Sequence, residues 1–352
     1  MSDSRMKMID YPTLCRRLNL LCYLTLITML CGTSVHAEEE ITGSELESED
    51  AEVVQRNVYP LPPEDIDVVG ELKLVTAKAE DTLLDIGRRH GIGFEAMRMA
   101  NPGVDLWMPA EGTEVVIPSR FVLPPGPREG LVINLPEMRL YYYPEPKPGE
   151  QRVVETYAVS IGRLDWSTPI GITKVTNRLE KPAWFPPASV RAAHAEEGGF
   201  LPRRVDPGPD NPLGDYAIGL DIAGYYIHGT NRPYGVGMRA SAGCIRMFPE
   251  DIASLVYRLP VGTEVRIMNE PYKAGWHAGQ LYIQAHPVLE EHEDQDVATY
   301  ANAVRAVAAK LESRPGRINY EHLKAAVNVR NGLPVSISRN AVEGIGLAKS
   351  DK

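Results

Sequence analysis

The sequence predicts a mainly β domain, preceded by a small α+β unit and followed by a helical tail. Short apolar runs separated by turn residues dominate residues 128–268, while helix-type spacing is confined to a few segments. Gly (30) and Pro (29) are abundant in this chain of 352 residues, which favours turns and loops over long helices. With 43% hydrophobic and 24% charged residues the composition is that of a globular protein. The formal net charge of -10 argues against a nucleic-acid binder, which would carry a basic footprint.

At the amino terminus Arg5, Lys7, Arg16 and Arg17 precede an apolar stretch from Leu18 to Leu30, and Val35-His36-Ala37 follows. A basic region, a short apolar core and a small-x-small site describe a secretory signal peptide over 1–37. The stretch is too short for a membrane span. Its removal takes away Cys15, Cys22 and Cys31 and leaves Cys244 as the only thiol. In an oxidising compartment a lone thiol is either buried and inert or reactive.

Residues 38–70 are acidic and carry Pro60, Pro62 and Pro63, the composition of a flexible lead-in. Over 71–119 the pattern predicts a strand at Leu72–Val75, a helix capped by Asp81 and running to His90, a helix at Phe94–Ala100 and a strand at Val115–Ile117. With Glu80-Asp81-Thr82-Leu83, Asn101-Pro102, Gly112 and Ile117-Pro118, this unit resembles the LysM family. The resemblance implies a β-α-α-β domain that binds the glycan strands of peptidoglycan. Glu80 stands where the family usually has Gly.

After a Pro-rich link at Phe121–Pro127, strands are expected at Leu131–Leu135, Arg139–Tyr143, Val153–Val159, Gly171–Thr176, Tyr216–Leu220, Tyr225–His228 and Val265–Ile267. One helix opens at Pro249 and runs through Val256. The remainder, 269–352, is expected to be a helical extension. Its apolar stripe is Val297, Tyr300, Ala301, Val304, Val307, Ala308 and Leu311, and a second helix spans Tyr320–Val329.

No paired-Cys metal motif, His-Glu-x-x-His helix or phosphate loop occurs, so neither a metal nor a cofactor is expected. The informative residues are Tyr226-Ile227-His228-Gly229-Thr230 and Ser241-Ala242-Gly243-Cys244-Ile245-Arg246. A free thiol is mostly protonated at neutral pH, and a nearby imidazole converts it to a thiolate nucleophile. The N–H groups of Gly243 and Cys244 are candidates for receiving the oxyanion of a tetrahedral intermediate. Against this stands a bland alternative, a small buried cysteine beside a rim histidine. The residues alone leave both open.

These segments resemble the L,D-transpeptidases with the YkuD-type catalytic domain, whose motif is His, a spacer of roughly fifteen residues, then Ser/Thr-x-Gly-Cys, an apolar residue and Asn or Arg. Val159-Ser160-Ile161-Gly162, Thr168-Pro169-Ile170-Gly171 and Lys181-Pro182-Ala183-Trp184-Phe185-Pro186-Pro187 also match. The resemblance covers 128–268 and implies a β-sandwich or barrel-like fold. It implies Cys244 as nucleophile, His228 as base and the carbonyl of Gly229 as the group that orients the ring. Arg246, Arg239 and Ser241 would sit near the acidic stem peptide. Many members carry a second His where this chain has Ala242. The implied reaction is periplasmic: Cys244 is acylated by a peptidoglycan tetrapeptide stem, D-Ala leaves, and the acyl group passes to an amine. That amine belongs to another stem, giving a 3-3 cross-link, or to an anchored lipoprotein. Carbapenems are the implied inhibitors. The rival readings are a hydrolytic L,D-carboxypeptidase, a non-catalytic cell-wall-binding protein and a secreted cysteine peptidase of another type.

Overall fold

The computed structural model describes residues 57–292 and 300–339. The expected signal peptide, the acidic stretch as far as residue 56, and Val297 of the tail stripe lie outside the described residues. The remainder of the expected lead-in is not loose chain. Strand β1 (Asn57–Pro60) pairs antiparallel with the long strand at Val153–Gly162, and β2 (Val68–Gly70) pairs with a strand at Arg120–Val122. Pro60 is tolerated because β1 lies at the edge of its sheet, where a missing N–H breaks no ladder.

The small unit follows in the order β3 (Lys73–Thr76), α1 (Leu83–Arg89), α2 (Phe94–Ala100) and β4 (Glu114–Ile117), with β3 and β4 antiparallel. Thr82, not Asp81, caps α1. Its hydroxyl accepts from the N–H of Asp85 at 3.0 Å while the Asp85 carboxylate accepts from the N–H of Thr82 at 3.1 Å, a reciprocal capping box. Asp81 instead accepts from the N–H of Lys78 and pairs with Arg89 at 2.8 Å. The expected link begins with a further strand, β5 (Arg120–Val122).

Next come β6 (Gly130–Asn134), β7 (Arg139–Tyr143), β8 (Val153–Gly162), β9 (Gly171–Glu180), α3 (Ala188–Glu196), β10 (Tyr216–Leu220), β11 (Tyr226–His228), β12 (Arg239–Ser241), β13 (Ile245–Met247), α4 (Pro249–Val256) and β14 (Glu264–Met268). The sheet runs β8-β13-β11-β10-β9-β14-β6-β7, and the β7–β8 pairing closes it on itself. The period of two along each strand then decides what goes inside. On β6 and β7, Leu131, Ile133, Leu140 and Tyr142 enter the barrel core with Val159, Ile161, Ile227, Ile245 and Ile252. Val132, Tyr141 and Tyr143 point the other way, into a second core with Leu83, Ile86, Met97, Ile117 and Phe121. The run Arg139-Leu140-Tyr141-Tyr142-Tyr143 is therefore buried on both faces. The small unit and the barrel share this outer core, and no flexible tether separates them.

The tail contains its two expected helices, α5 (Tyr300–Ser313) and α6 (Tyr320–Val329), but they pack on a sheet that the helical expectation did not include. Before them β15 (Tyr272–His277) and β16 (Gln280–Ala285) form a hairpin, and β17 (Val335–Ser336) adds to β16. The hairpin turn is Ala278-Gly279, both at positive φ (47° and 77°), the two-residue turn whose twist suits antiparallel strands.

Candidate active site

Strands β11 and β13 are parallel neighbours, with Ile227 opposite Ile245 and His228 opposite Arg246. Ile227, Ile245 and Met247 all enter the barrel core. By alternation His228 and Arg246 lie on the outer face, and Cys244 sits in the bend that leads into β13, two residues before Arg246. The pairing thus sets the segments that carry two residues sixteen positions apart side by side.

His228 is 4% exposed, and its Nδ1 lies 2.7 Å from the carbonyl oxygen of Gly229, which accepts when that nitrogen carries the proton. Gly229 is in turn confined. Its N–H donates to the carbonyl of Tyr216 at 3.1 Å, and a Cβ there would press on Ile252 of α4 at 3.2 Å. Burial pushes the imidazole down to about 4, the Arg246 cation adds to this, and hydrogen bonding to the backbone of Gly229 and Leu213 acts in the opposite sense.

Cys244 is half-buried, and its Sγ lies 3.6 Å from the carbonyl oxygen of Gly224. Burial raises the thiol above its ordinary value, against the hydrogen bond from the Tyr226 backbone and the charge of Arg246. Both shifts favour the neutral form of the group. Arg246 is partly buried, and among the described residues its Nε has no hydrogen-bond partner.

The turn before the cysteine is tied at every step. Gly243 has φ of +102°, and a Cβ would meet the Tyr225 ring at 2.8 Å, so only glycine fits. Its N–H donates to Ser241 Oγ at 3.2 Å. Ser241 Oγ donates to the Cys244 carbonyl at 2.5 Å and the residue is 3% exposed. Its hydroxyl therefore closes the turn and does not reach toward a peptide. Arg239 is also committed elsewhere, gripping the Glu291 carboxylate through both terminal nitrogens at 2.8 and 2.9 Å. Of the three residues expected to meet the stem peptide, Arg246 is the one with a buried nitrogen, Nε, that finds no partner among the described residues. Ala242 is exposed to solvent.

A family model of the L,D-transpeptidase catalytic domain, YkuD, matches residues 128–267. Across 292 residues the chain is 37% identical to the probable L,D-transpeptidase YcfS of Escherichia coli, covering 81% of this chain and 90% of that one. Probable L,D-transpeptidase ErfK/SrfK of Salmonella typhimurium is 37% identical over 80% of this chain and 91% of its own. For probable L,D-transpeptidase YbiS of Escherichia coli the figures are 37%, 80% and 92%. This chain belongs to the L,D-transpeptidase family.

Two further residues of this L,D-transpeptidase support the site without having been assigned a role from sequence. Thr168 Oγ1 donates to the Gly243 carbonyl at 2.9 Å and accepts from the N–H of Gly162 at 3.0 Å, pinning the cysteine turn to the end of β8. Ser160 Oγ donates to the carbonyl of Gly235 at 2.8 Å, holding the loop between His228 and Cys244. Both lie in segments that resemble the family, but a sequence does not say which carbonyl a hydroxyl finds. Among the described residues no group of three or more His, Cys, Asp or Glu side chains is assembled that would hold a metal ion.

Proposed function

We propose that this L,D-transpeptidase works through a cysteine acyl-enzyme. Cys244 Sγ attacks the carbonyl of the third stem residue and its proton passes to His228, the neutral base. The C–S bond forms, the C–N bond to the terminal D-Ala breaks, and the imidazolium returns the proton to the leaving amine. The thioester is then attacked by an amine of another stem or of an anchored lipoprotein, giving a 3-3 cross-link or a protein attachment. Water in the amine's place gives L,D-carboxypeptidase turnover. The Gly229 carbonyl holds the imidazole in one tautomer, the service a carboxylate performs in other triads. With the Gly243 amide engaged by Ser241, the Cys244 N–H is the remaining candidate for the oxyanion from the expected pair. Arg246, a cation beside the sulfur with a donor to spare, suits a carboxylate of the stem.

The observation that carries this reading is the parallel pairing of β11, which bears His228, with β13, which the Cys244 bend enters, together with the hold of Gly229 on the ring. Secretion through cleavage after Ala37 brings the enzyme to the periplasm, where its substrate lies. The β3-α1-α2-β4 unit supplies a glycan-binding surface of LysM type. Mass spectrometry of the protein after exposure to a tetrapeptide donor or a carbapenem tests the assignment. The wild type is expected to gain the acyl mass and Cys244→Ala to gain none; covalent labelling that persists in the variant refutes it. Muropeptides from cells with and without the protein identify the acceptor.

A further inference from the structure

Residues beyond the stretch matched by the catalytic-domain family reach back into the site. Leu289 is buried in the barrel core, and Val288 beside it is buried as well. The chain then turns, the N–H of His292 donating to the Leu289 carbonyl at 2.8 Å, and presents Glu291 to Arg239. The two side chains are 19% and 18% exposed, so the pair is largely withdrawn from water; it is joined by one hydrogen bond, Nη2 to Oε1, and a second close contact between Nη1 and Oε2.

Arg239 opens β12. That strand lies along the end of β8, with the N–H of Ile161 donating to Met238 and the N–H of Arg163 to Ser241. The Nε of Arg239 donates to the carbonyl of Gly162 at 3.3 Å. Two residues on, Ser241 holds both the Gly243 N–H and the Cys244 carbonyl. Behind Arg239, a cavity of about 320 Å³ opens between α2, the β6–β7 turn and residues 287–290. Arg239 lines that cavity, and its guanidinium is held by the Gly162 carbonyl and the Glu291 carboxylate.

We infer that Glu291 is a positioning residue for the Cys244 turn, acting through Arg239 and Ser241. The inference rests on the reading of Cys244 as the nucleophile. Without the carboxylate the guanidinium has open volume to enter, β12 loses its outer anchor, and the sulfur is held less firmly against the substrate carbonyl. The requirement for tight placement makes such a remote loss costly to rate.

The test is a double-mutant cycle on the full chain with Glu291→Gln, Arg239→Gln and the pair, reading donor acylation rate and KM, and thermal unfolding alongside. Each single variant is expected to acylate roughly tenfold more slowly, with KM moved less than about twofold. The double variant is expected to be no slower than the worse single one, because the two residues act as one unit. Glu291→Asp, which keeps the charge, is expected to recover part of the rate. Iodoacetamide alkylation of Cys244 across pH is run on the same proteins, and its profile is expected to shift in Glu291→Gln. This readout separates the two ideas: an unacylated wild type sinks the transpeptidase mechanism but leaves the alkylation shift to judge the role of Glu291. Additive losses in the cycle, or unaltered acylation and alkylation in a folded Glu291→Gln, overturn the inference.

Discussion

The turn from Ser241 to Cys244 and the excursion between β9 and β10 lie within one barrel and are built on opposite plans. In the turn, Thr168 and Ser241 take up the Gly243 carbonyl, the Gly243 N–H and the Cys244 carbonyl, and the Tyr225 ring fills the space beside Gly243. In the excursion, α3 buries none of its residues, and Phe185 and Phe200 are 66% and 87% exposed. Its ordered contacts gather at the base. There Asn211 donates to the carbonyl of Pro182 at 2.8 Å and accepts from the N–H of Leu213 at 2.9 Å. The chemistry sits on over-determined backbone, while the neighbouring surface is left with little to hold it. Local stability follows that division.

The largest expected effect sharpens the contrast at its rigid end. His228→Gln removes the base from an intact turn and is expected to slow donor acylation by about 10²–10⁴-fold, read as the initial burst of released D-Ala. A variant that keeps its burst would move the proton transfer to another group. Acidity is next. His228 lies well below its unfolded value, so the unfolded chain takes up its proton first. The stability this group contributes is full above about pH 6.5 and is lost as pH falls toward about 4. His286, buried and likewise pushed down to about 4, has the same sign. Each is worth up to about 3 kcal/mol, and urea unfolding at pH 7 and pH 4.5 measures the sum. A flat profile would contradict the burial of both rings as neutral groups.

Ser241→Ala is expected to cost about 1–3 kcal/mol, because it strands the Gly243 N–H and removes the donor to the Cys244 carbonyl. Thermal unfolding of the variant checks this, and a neutral result would mean the turn is held by Thr168 alone. At the other end, Phe200→Ala should leave stability unchanged within about 0.5 kcal/mol. A larger loss in the same assay would erase the distinction between the two regions.

The legible and illegible parts divide along physical lines. Strand runs such as Leu131–Leu135 could be read directly, because alternation is a property of neighbouring residues, whereas His228 and Cys244 stood out only as local motifs whose roles the residues alone left open. The family resemblance implies Arg239 and Ser241 near the stem peptide; the partners they have within the fold, Glu291 and the backbone of the cysteine turn, depend on the folded path. Strands β1 and β2 hid inside an acidic, Pro-bearing stretch, since they draw their hydrogen bonds from β8 and β5. The β15–β16 hairpin left a readable sign, the Ala278-Gly279 turn, that the helical expectation for the tail passed over.

The outer core common to the small unit and the barrel has a consequence for how this protein can be divided. Excising 71–119 would strip Leu83, Met97 and Ile117 of Val132, Tyr141 and Tyr143, so the excised piece is half of an interior and not a portable cassette. For the same reason the spacing from that unit to the sulfur is a constant of the molecule, as on a ruler, and no linker length can be tuned to change it.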